Sequence, residues 1–233
     1  MKPMSAATTR KTRNFFIPRA YASVRGCGAA VPDGFRDHNP VTSDIVIVEY
    51  REEWPNEFTR IGRELRTALG VVARRIDHIG STAVPGLAAK DIIDIQVTVS
   101  DLDDERIGVA MRSIDAIERF KGTFDHEPPG TVVPDDQREK WLWHLRRDDI
   151  VANIHIRVEG RWNWRYALLC RDFLRANVGT ARAYGEVKRQ LARLFPNDVE
   201  SYYDVKDPAF DLFMSVADEW AGWTGWQPGP ADI

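Results

Sequence analysis

The strongest constraint on the fold is an apolar run with polar residues at alternate positions, DIIDIQVTV over residues 91–99. Side chains of a β-strand point alternately to the two faces of a sheet, so the isoleucines and valines at the odd-numbered positions from 93 line one face. Asp94, Gln96 and Thr98 point to the other face. A β-branched run of this length predicts a buried strand with one apolar face and one face that carries polar residues.

The rest of the chain predicts further strands and several helices. Strands are predicted at 44–50 and 73–79, and a hairpin at 140–147 and 150–158 around the Asp148-Asp149 turn. Helices are predicted from Trp54-Pro55 to Gly70, over 101–120, and in two or three segments from Trp162 onwards, with Phe195-Pro196-Asn197 as a break. This order predicts an α/β (α+β) domain with a mixed sheet, flanking helices and a C-terminal helical segment.

Composition divides the chain into three parts. Residues 1–43 carry six basic residues before the first acid, Asp33, which is typical of an organellar transit peptide or of a disordered extension. We expect a disordered basic extension over 1–43, a domain over 44–222 and a flexible tail over 223–233. The expected location is the cytoplasm, or an organellar matrix if the first segment is a transit peptide.

The overall charge and the apolar runs restrict the partners. A net charge of −3 and the lack of a basic patch with interleaved aromatic residues favour no nucleic-acid partner. The apolar runs are too short for a membrane span. We therefore expect a small-molecule or nucleotide substrate, no nucleic acid and no membrane, while the sequence does not predict an oligomeric state.

The stretch HIGSTAVPGLAAKDIIDIQV, residues 78–97, has the glycines of a phosphate-binding loop. Glycine lets the backbone approach a phosphate, and exposed N–H groups can hold it. A Walker A loop needs Gly-Lys-Ser/Thr directly before a helix. Here Lys90 follows Gly86 by four residues and precedes a strand, so the stretch is not a Walker A loop and a kinase-type NTPase is disfavoured.

Asp94 is a carboxylate within an apolar run, where an unpaired charge is costly. It must be paired with a cationic side chain, hydrogen-bonded, or bound to a cation. From the residues alone, a structural ion pair and a functional site both remain open.

Several separated blocks of this chain resemble the GrpB family, a group within the nucleotidyltransferase superfamily that includes polymerase-β-like enzymes. The resemblance runs from about Ile45 to Ala209. Its blocks are the 78–97 stretch, VEYREEWPNEF (48–58), NIHIRV (153–158), LLCRDFLRAN (168–177) and YGEVKRQLARLFPND (184–198).

The resemblance implies a Gly-Ser pair followed by an acid–hydrophobic–acid strand. Gly80 and Ser81 match the pair and Asp94 matches the first acid, which in working members holds divalent metal against a nucleoside triphosphate. It implies Mg²⁺ at Asp94, with Gln96 standing where the second acid would be. An amide oxygen is a neutral and weaker metal ligand than a carboxylate, so Gln96 in place of the second acid disfavours two-metal catalysis.

The resemblance also implies a third acid on a neighbouring strand, for which the predicted strand 150–158 is the candidate. The polar face of that strand carries His155 and Arg157 instead. Glu159, beyond the strand, is a weak substitute. With the resemblance, His78 and His155 are expected with Asp94 as catalytic residues. The expected substrate- or phosphate-binding residues are Gly80, Ser81, Thr82, Lys90, Gln96, Arg157, Arg171, Asp172, Tyr184 and Lys188.

Three functions follow from these expectations. The first is metal-dependent nucleotidyl transfer from a nucleoside triphosphate to an unidentified acceptor. The second is a degenerate module that binds a nucleotide or anion without catalysis, which Gln96 favours. The third is metal-independent acyl or amide chemistry with His155 or His78 as the acid or base, for which the sequence assigns no nucleophile–base pair.

Overall fold

The computed structural model describes residues 44–233 and shows a five-stranded mixed sheet with helices on both faces. The strands are β1 (Arg75–Ile79), β2 (Ile93–Val99), β3 (Ile117–Phe124), β4 (Glu139–Arg147) and β5 (Ile150–Val158). Their order in the sheet is β1-β2-β5-β4-β3. Among these five strands β2 and β5 pair in parallel, and the other neighbours are antiparallel. The expected mixed-sheet α+β class is confirmed.

The helices are α1 (Trp54–Leu69), α2 (Glu105–Ser113), α3 (Asp135–Arg138), α4 (Trp162–Ala176), α5 (Val178–Leu194) and α6 (Val199–Thr224). Three-residue 3₁₀ turns lie at Gly70–Val72 and Ser81–Ala83. The three final helices confirm the C-terminal helical segment. They are separated at Phe195, Pro196 and Asn197, where the sequence predicts the break.

The two faces of the sheet are covered by different helices. The apolar face of β2 joins α1 and α2 in one core that contains Phe58, Ile61, Ile95, Val97 and Met111. The polar face meets α4, and the last three helices form a second core together with Val84 and Leu87. The apolar side of α1 therefore packs against the apolar face of β2, so that both are buried.

Two predicted elements differ from the structure. Residues 44–50 form no strand and contribute a single bridge, Val48 to Ala89. The helix expected over 101–120 ends at Ser113, because Asp115 takes a left-handed backbone conformation (φ 58°) and the chain turns into β3. Ile117 is 60% exposed, so it does not continue the buried stripe of α2.

Residues from the segment 223–233, where the sequence predicts a flexible tail, contact strand β1. Helix α6 continues to Thr224. The amide of Ile233 donates to the carbonyl of Ile76 on β1 at 3.1 Å, and the Asp232 carboxylate accepts from the His78 amide at 2.9 Å. The expectations for residues 1–43 lie outside the described residues. No helix among the described residues is long and apolar enough to cross a membrane.

Candidate functional site

The pairing of β1, β2 and β5 assembles the polar face of the sheet. Asp94 lies opposite Ile79 on β1 and Asn153 on β5. Gln96 lies opposite Asp77 and His155. Because opposite residues of paired strands point to the same face, residues distant in sequence meet in two short rows.

Gly80 follows β1 and turns the chain directly over Asp94. Its φ is 71°, a conformation that residues with a Cβ rarely adopt. A Cβ at position 80 would lie 2.4 Å from Asp94 Oδ2. Glycine is therefore required here both by the backbone conformation and by the close approach of the carboxylate.

Asp94 is ionised in this setting. Its Oδ1 lies 3.5 Å from His155 Nε2 and accepts from Asn153 Nδ2 at 3.3 Å. Burial raises the pKa of Asp94, but the contacts with His155 and Asn153 more than offset this, so the pKa lies below its usual value. Burial lowers the pKa of His155, and Asp94 only partly offsets that effect. The imidazole of His155 therefore lies in its neutral form beside an aspartate whose side chain is 31% exposed.

Lys188 brings a buried amine to the other side of the same turn. Its Nζ lies 2.7 Å from Ser81 Oγ and 4.8 Å from the centre of the Tyr184 ring. Lys188 is 4% exposed. Burial lowers the pKa of Lys188 to about 7, so the amine gains or loses its proton near neutral pH.

His78 is buried behind the turn. Its ring stacks on Phe58 with centroids 4.7 Å apart, and its Nε2 lies 3.0 Å from Thr82 Oγ1. Burial lowers the pKa of His78 to about 3, with Arg171 and Arg175 adding to the effect and Asp94 opposing it. His78 and Thr82 thus support the turn from within, and neither offers an exposed proton-transfer group.

Gln96 and Arg157, which the sequence predicts to bind substrate, are engaged in a buried polar network. Gln96 Oε1 accepts from Arg157 at 2.7 Å, and its Nε2 donates to the Trp164 carbonyl on α4 at 3.2 Å. Arg157 also forms a two-pronged ion pair with Asp125, at 2.8 and 2.9 Å. Burial alone would raise the pKa of Asp125, but Arg157 and Lys140 hold it far below its usual value.

Arg171 and Asp172, which the sequence predicts to receive ligand, also contact other protein groups. Arg171 is 3% exposed and donates to Asp172 at 2.7 Å, to the His78 carbonyl at 3.2 Å and to Asp232 at 3.0 Å. Asp172 in turn accepts from the Trp226 indole at 3.1 Å. These contacts fasten α4 and the end of the chain to β1.

Lys90 lies against α6. Its Nζ donates to the Tyr203 hydroxyl at 3.1 Å and sits 5.1 Å from the Tyr202 ring centre. Glu159, considered as a third acid, pairs with Arg74 at the surface at 2.6 Å. Neither residue is drawn into the contacts around Asp94 described above.

The sequence reasoning missed three acids. Asp77 is fully buried and held by Arg75 at 2.7 Å, Asp125 pairs with Arg157, and Asp232 returns from the end of the chain. The alternation of residues 75–79 places Asp77 on the face of Gln96 and could have revealed it. The other two come from a loop and a tail, for which no periodic pattern exists.

The donors at this site do not fit a two-metal centre. No group of three or more histidine, cysteine, aspartate or glutamate side chains within residues 44–233 could hold a metal ion. Gln96 is turned towards Arg157, which leaves Asp94 as the carboxylate beside the turn. Mg²⁺ bound mostly by water and ligand phosphates needs only one or two protein carboxylates, and Asp94 fits that smaller requirement.

The fold and the site define an α+β domain in which a Gly-Ser turn covers an acid-bearing strand. Residues 44–215 match the family described as GrpB protein, and the chain belongs to this family.

Three similar proteins illustrate the relationship. A dephospho-CoA kinase of Mycolicibacterium paratuberculosis is 36% identical in an alignment of 209 positions that covers 82% of this chain and 51% of that protein. The UPF0157 protein BH1888 of Halalkalibacterium halodurans is 33% identical, over 76% of this chain and 85% of its own length. The crystal structure of GrpB from Enterococcus faecalis aligns with a TM-score of 0.60 and 25% identity, over 78% of this chain and 100% of that chain. The chain thus spans about half the length of the kinase relative.

Proposed function

We propose that this protein binds a nucleoside triphosphate, or a related phosphorylated small molecule, at the turn Gly80–Thr82. The observation that carries the proposal is the 2.7 Å contact between Lys188 Nζ and Ser81 Oγ beside the ionised Asp94. A hydroxyl and an amine on a glycine-led turn are suitable donors for phosphate oxygens.

The charges at the turn specify how such a ligand binds. The Asp94 carboxylate repels a polyphosphate, and without a metal ion only Lys188 offsets this repulsion. Mg²⁺ bound between the ligand and Asp94 removes it. An approaching anion also favours the protonated form of Lys188, since an opposite charge nearby raises the pKa of an amine. Binding is therefore expected to be stronger with Mg²⁺ than without it.

Calorimetric titration with ATP, in the presence and absence of Mg²⁺, tests the proposal. Asp94→Asn should remove the gain that Mg²⁺ gives. Lys188→Met should weaken binding about tenfold or more under both conditions, because a charge-assisted hydrogen bond contributes about 1.5–3 kcal/mol. Lys121→Met is the matched control. Lys121 is on the edge strand β3, and its Nζ lies 4.7 Å from the ring centre of Trp141. This variant should leave ATP binding unchanged. ATP affinity that is the same in the wild type, Asp94→Asn and Lys188→Met contradicts the proposal.

The second candidate is transfer of a nucleotidyl group from the bound triphosphate. It is favoured by Asp94, which is ionised and 31% exposed beside the turn. Pyrophosphate release from ATP and Mg²⁺, measured with a mixture of small-molecule acceptors, tests it. Release that disappears in Asp94→Asn supports transfer, whereas ATP binding without pyrophosphate in the wild type supports a binding module.

A further inference from the structure

Ser81 and Lys188 form a hydroxyl–amine pair whose chemistry extends beyond ligand binding. The two atoms are 2.7 Å apart, within direct hydrogen-bond distance. Ser81 begins the 3₁₀ turn after Gly80 and is only partly buried, while Lys188 reaches it from α5 and is almost fully buried. The hydroxyl is thus the accessible member of the pair and the amine is the sheltered one.

The surroundings of Lys188 determine its protonation. Lys206 on α6 and Arg189 on α5 add positive charge, and Asp94 on β2 adds negative charge. Cys170 on α4 faces the same amine, but burial raises the pKa of its thiol to about 12, so it carries no charge near neutral pH. Burial remains the largest influence and lowers the pKa of Lys188 to about 7. An unprotonated amine can accept the proton of a neighbouring hydroxyl, which a lysine with its ordinary pKa cannot do near pH 7.

We propose that Ser81 is a nucleophile with Lys188 as its general base, and that the pair cleaves activated carboxylic esters or thioesters. Serine activated by an adjacent base is a recurrent route to covalent acyl intermediates. This proposal is independent of the proposed function, because it requires neither a nucleotide nor a metal ion.

The reaction balances with these two groups and water. Ser81 Oγ bonds to the carbonyl carbon of the ester while its proton passes to Lys188 Nζ. The bond to the leaving alcohol or thiol breaks, and the leaving group takes the proton from Lys188. Water then attacks the acyl-Ser81 ester, releases the carboxylic acid and restores the Ser81 hydroxyl.

The geometry favours Ser81 over other hydroxyls that make short contacts. Thr82 Oγ1 lies beside His78 and is buried, with 1% of the residue exposed. The hydroxyl of Ser215 on α6 donates to its own helix, at the Leu212 carbonyl, at 2.9 Å. Ser81 combines partial exposure with a buried amine as hydrogen-bond partner.

The test is a burst of p-nitrophenolate from p-nitrophenyl acetate, combined with mass spectrometry of the intact protein and its peptides. We expect a burst of one equivalent and one acetyl group on Ser81. The burst rate should rise with pH through a midpoint near 7, where the Lys188 amine loses its proton. Absence of a burst in the wild type, or an acetyl group on another residue, would overturn the proposal.

Ser81→Ala and Lys188→Arg test the nucleophile and the base separately, with Ser215→Ala as the control. Ser81→Ala should abolish the burst, while Ser215→Ala should leave it unchanged. Lys188→Arg keeps a positive charge but no usable base, because the guanidinium does not deprotonate in proteins. It should therefore lose the burst at every pH and still bind ATP, with folding checked by its thermal unfolding midpoint. A burst that persists in folded Lys188→Arg overturns the role of Lys188.

The two proposals can be rejected separately. ATP binding by the wild type without any burst rejects the Ser81–Lys188 reaction alone, and a burst without ATP binding rejects the proposed function alone.

Discussion

Gly80 and Asp94 are in such close contact that a Cβ on Gly80 would lie 2.4 Å from the Asp94 carboxylate oxygen. The glycine turn and the acid-bearing strand are therefore one structural unit. A change at either position should alter the stability of the fold as well as the site.

Gly80→Ala should destabilise the protein by about 2–5 kcal/mol, because backbone strain at positive φ of about 1–2 kcal/mol adds to an overpacking cost of about 1–3 kcal/mol. Urea unfolding measures this change. Gly86→Ala is the matched control, since Gly86 has a similar φ of 75° but nothing within 4 Å of the added Cβ. It should show the strain alone, and equal losses in the two variants would contradict the contact with Asp94.

Gln96→Glu restores an acid at the position where the family resemblance implies one, yet it should not create a metal site. The new carboxylate would face Arg157, which now donates to Gln96 at 2.7 Å, and would pair with it. Calorimetric titration with Mg²⁺ should therefore show no gain in affinity over the wild type. A gain of tenfold or more would show that the position can turn towards Asp94.

The stability of the protein should fall between pH 7 and pH 5 because His78 is buried in its neutral form. Its folded pKa of about 3 lies below the unfolded value of 6.5, so its stabilising contribution is complete above pH 6.5 and declines as the pH falls towards 3. For this residue alone we expect a loss of roughly 2 kcal/mol at pH 5. Urea unfolding of the wild type and of His78→Gln at both pH values checks this, and the variant should show a smaller drop. An equal drop in both proteins would place the effect elsewhere.

Asp232→Ala should loosen the end of the chain. It leaves the buried His78 amide without the carboxylate that accepts from it and removes one of the acceptors of Arg171, at a cost of about 1–3 kcal/mol. Asp218→Ala breaks a surface ion pair with Arg165 and should cost less than about 1 kcal/mol. Urea unfolding compares the two, and hydrogen exchange at His78 should increase only in Asp232→Ala. A smaller loss in Asp232→Ala than in Asp218→Ala would be incompatible with the contacts described.

Elements with a strong local period were predictable from the sequence. The alternation in β2 predicted both the strand and the shared face of Asp94 and Gln96, and the period of α1 predicted its buried side. The helix expected over 101–120 was wrong beyond Ser113, because apolar spacing alone does not reveal the left-handed Asp115 or the pairing of β3 with β4.

The roles of polar residues followed contacts that no local pattern encodes. Gln96 and Arg157 are predicted to bind ligand, and the structure adds that Arg157 bridges Gln96 to Asp125, which follows β3. Arg171 is likewise predicted to face the cleft, and the structure adds its contact with Asp232.

The sequence by itself determined the central strand and the shared face of Asp94 and Gln96, because strand alternation acts over a few residues, and its separated blocks indicated the family. Only the tertiary structure decided that Lys188 contacts Ser81 and that Gln96 belongs to a buried network. The physical reason is that burial and charge pairing depend on which distant segments meet, and those contacts set both the protonation and the accessibility of each polar group.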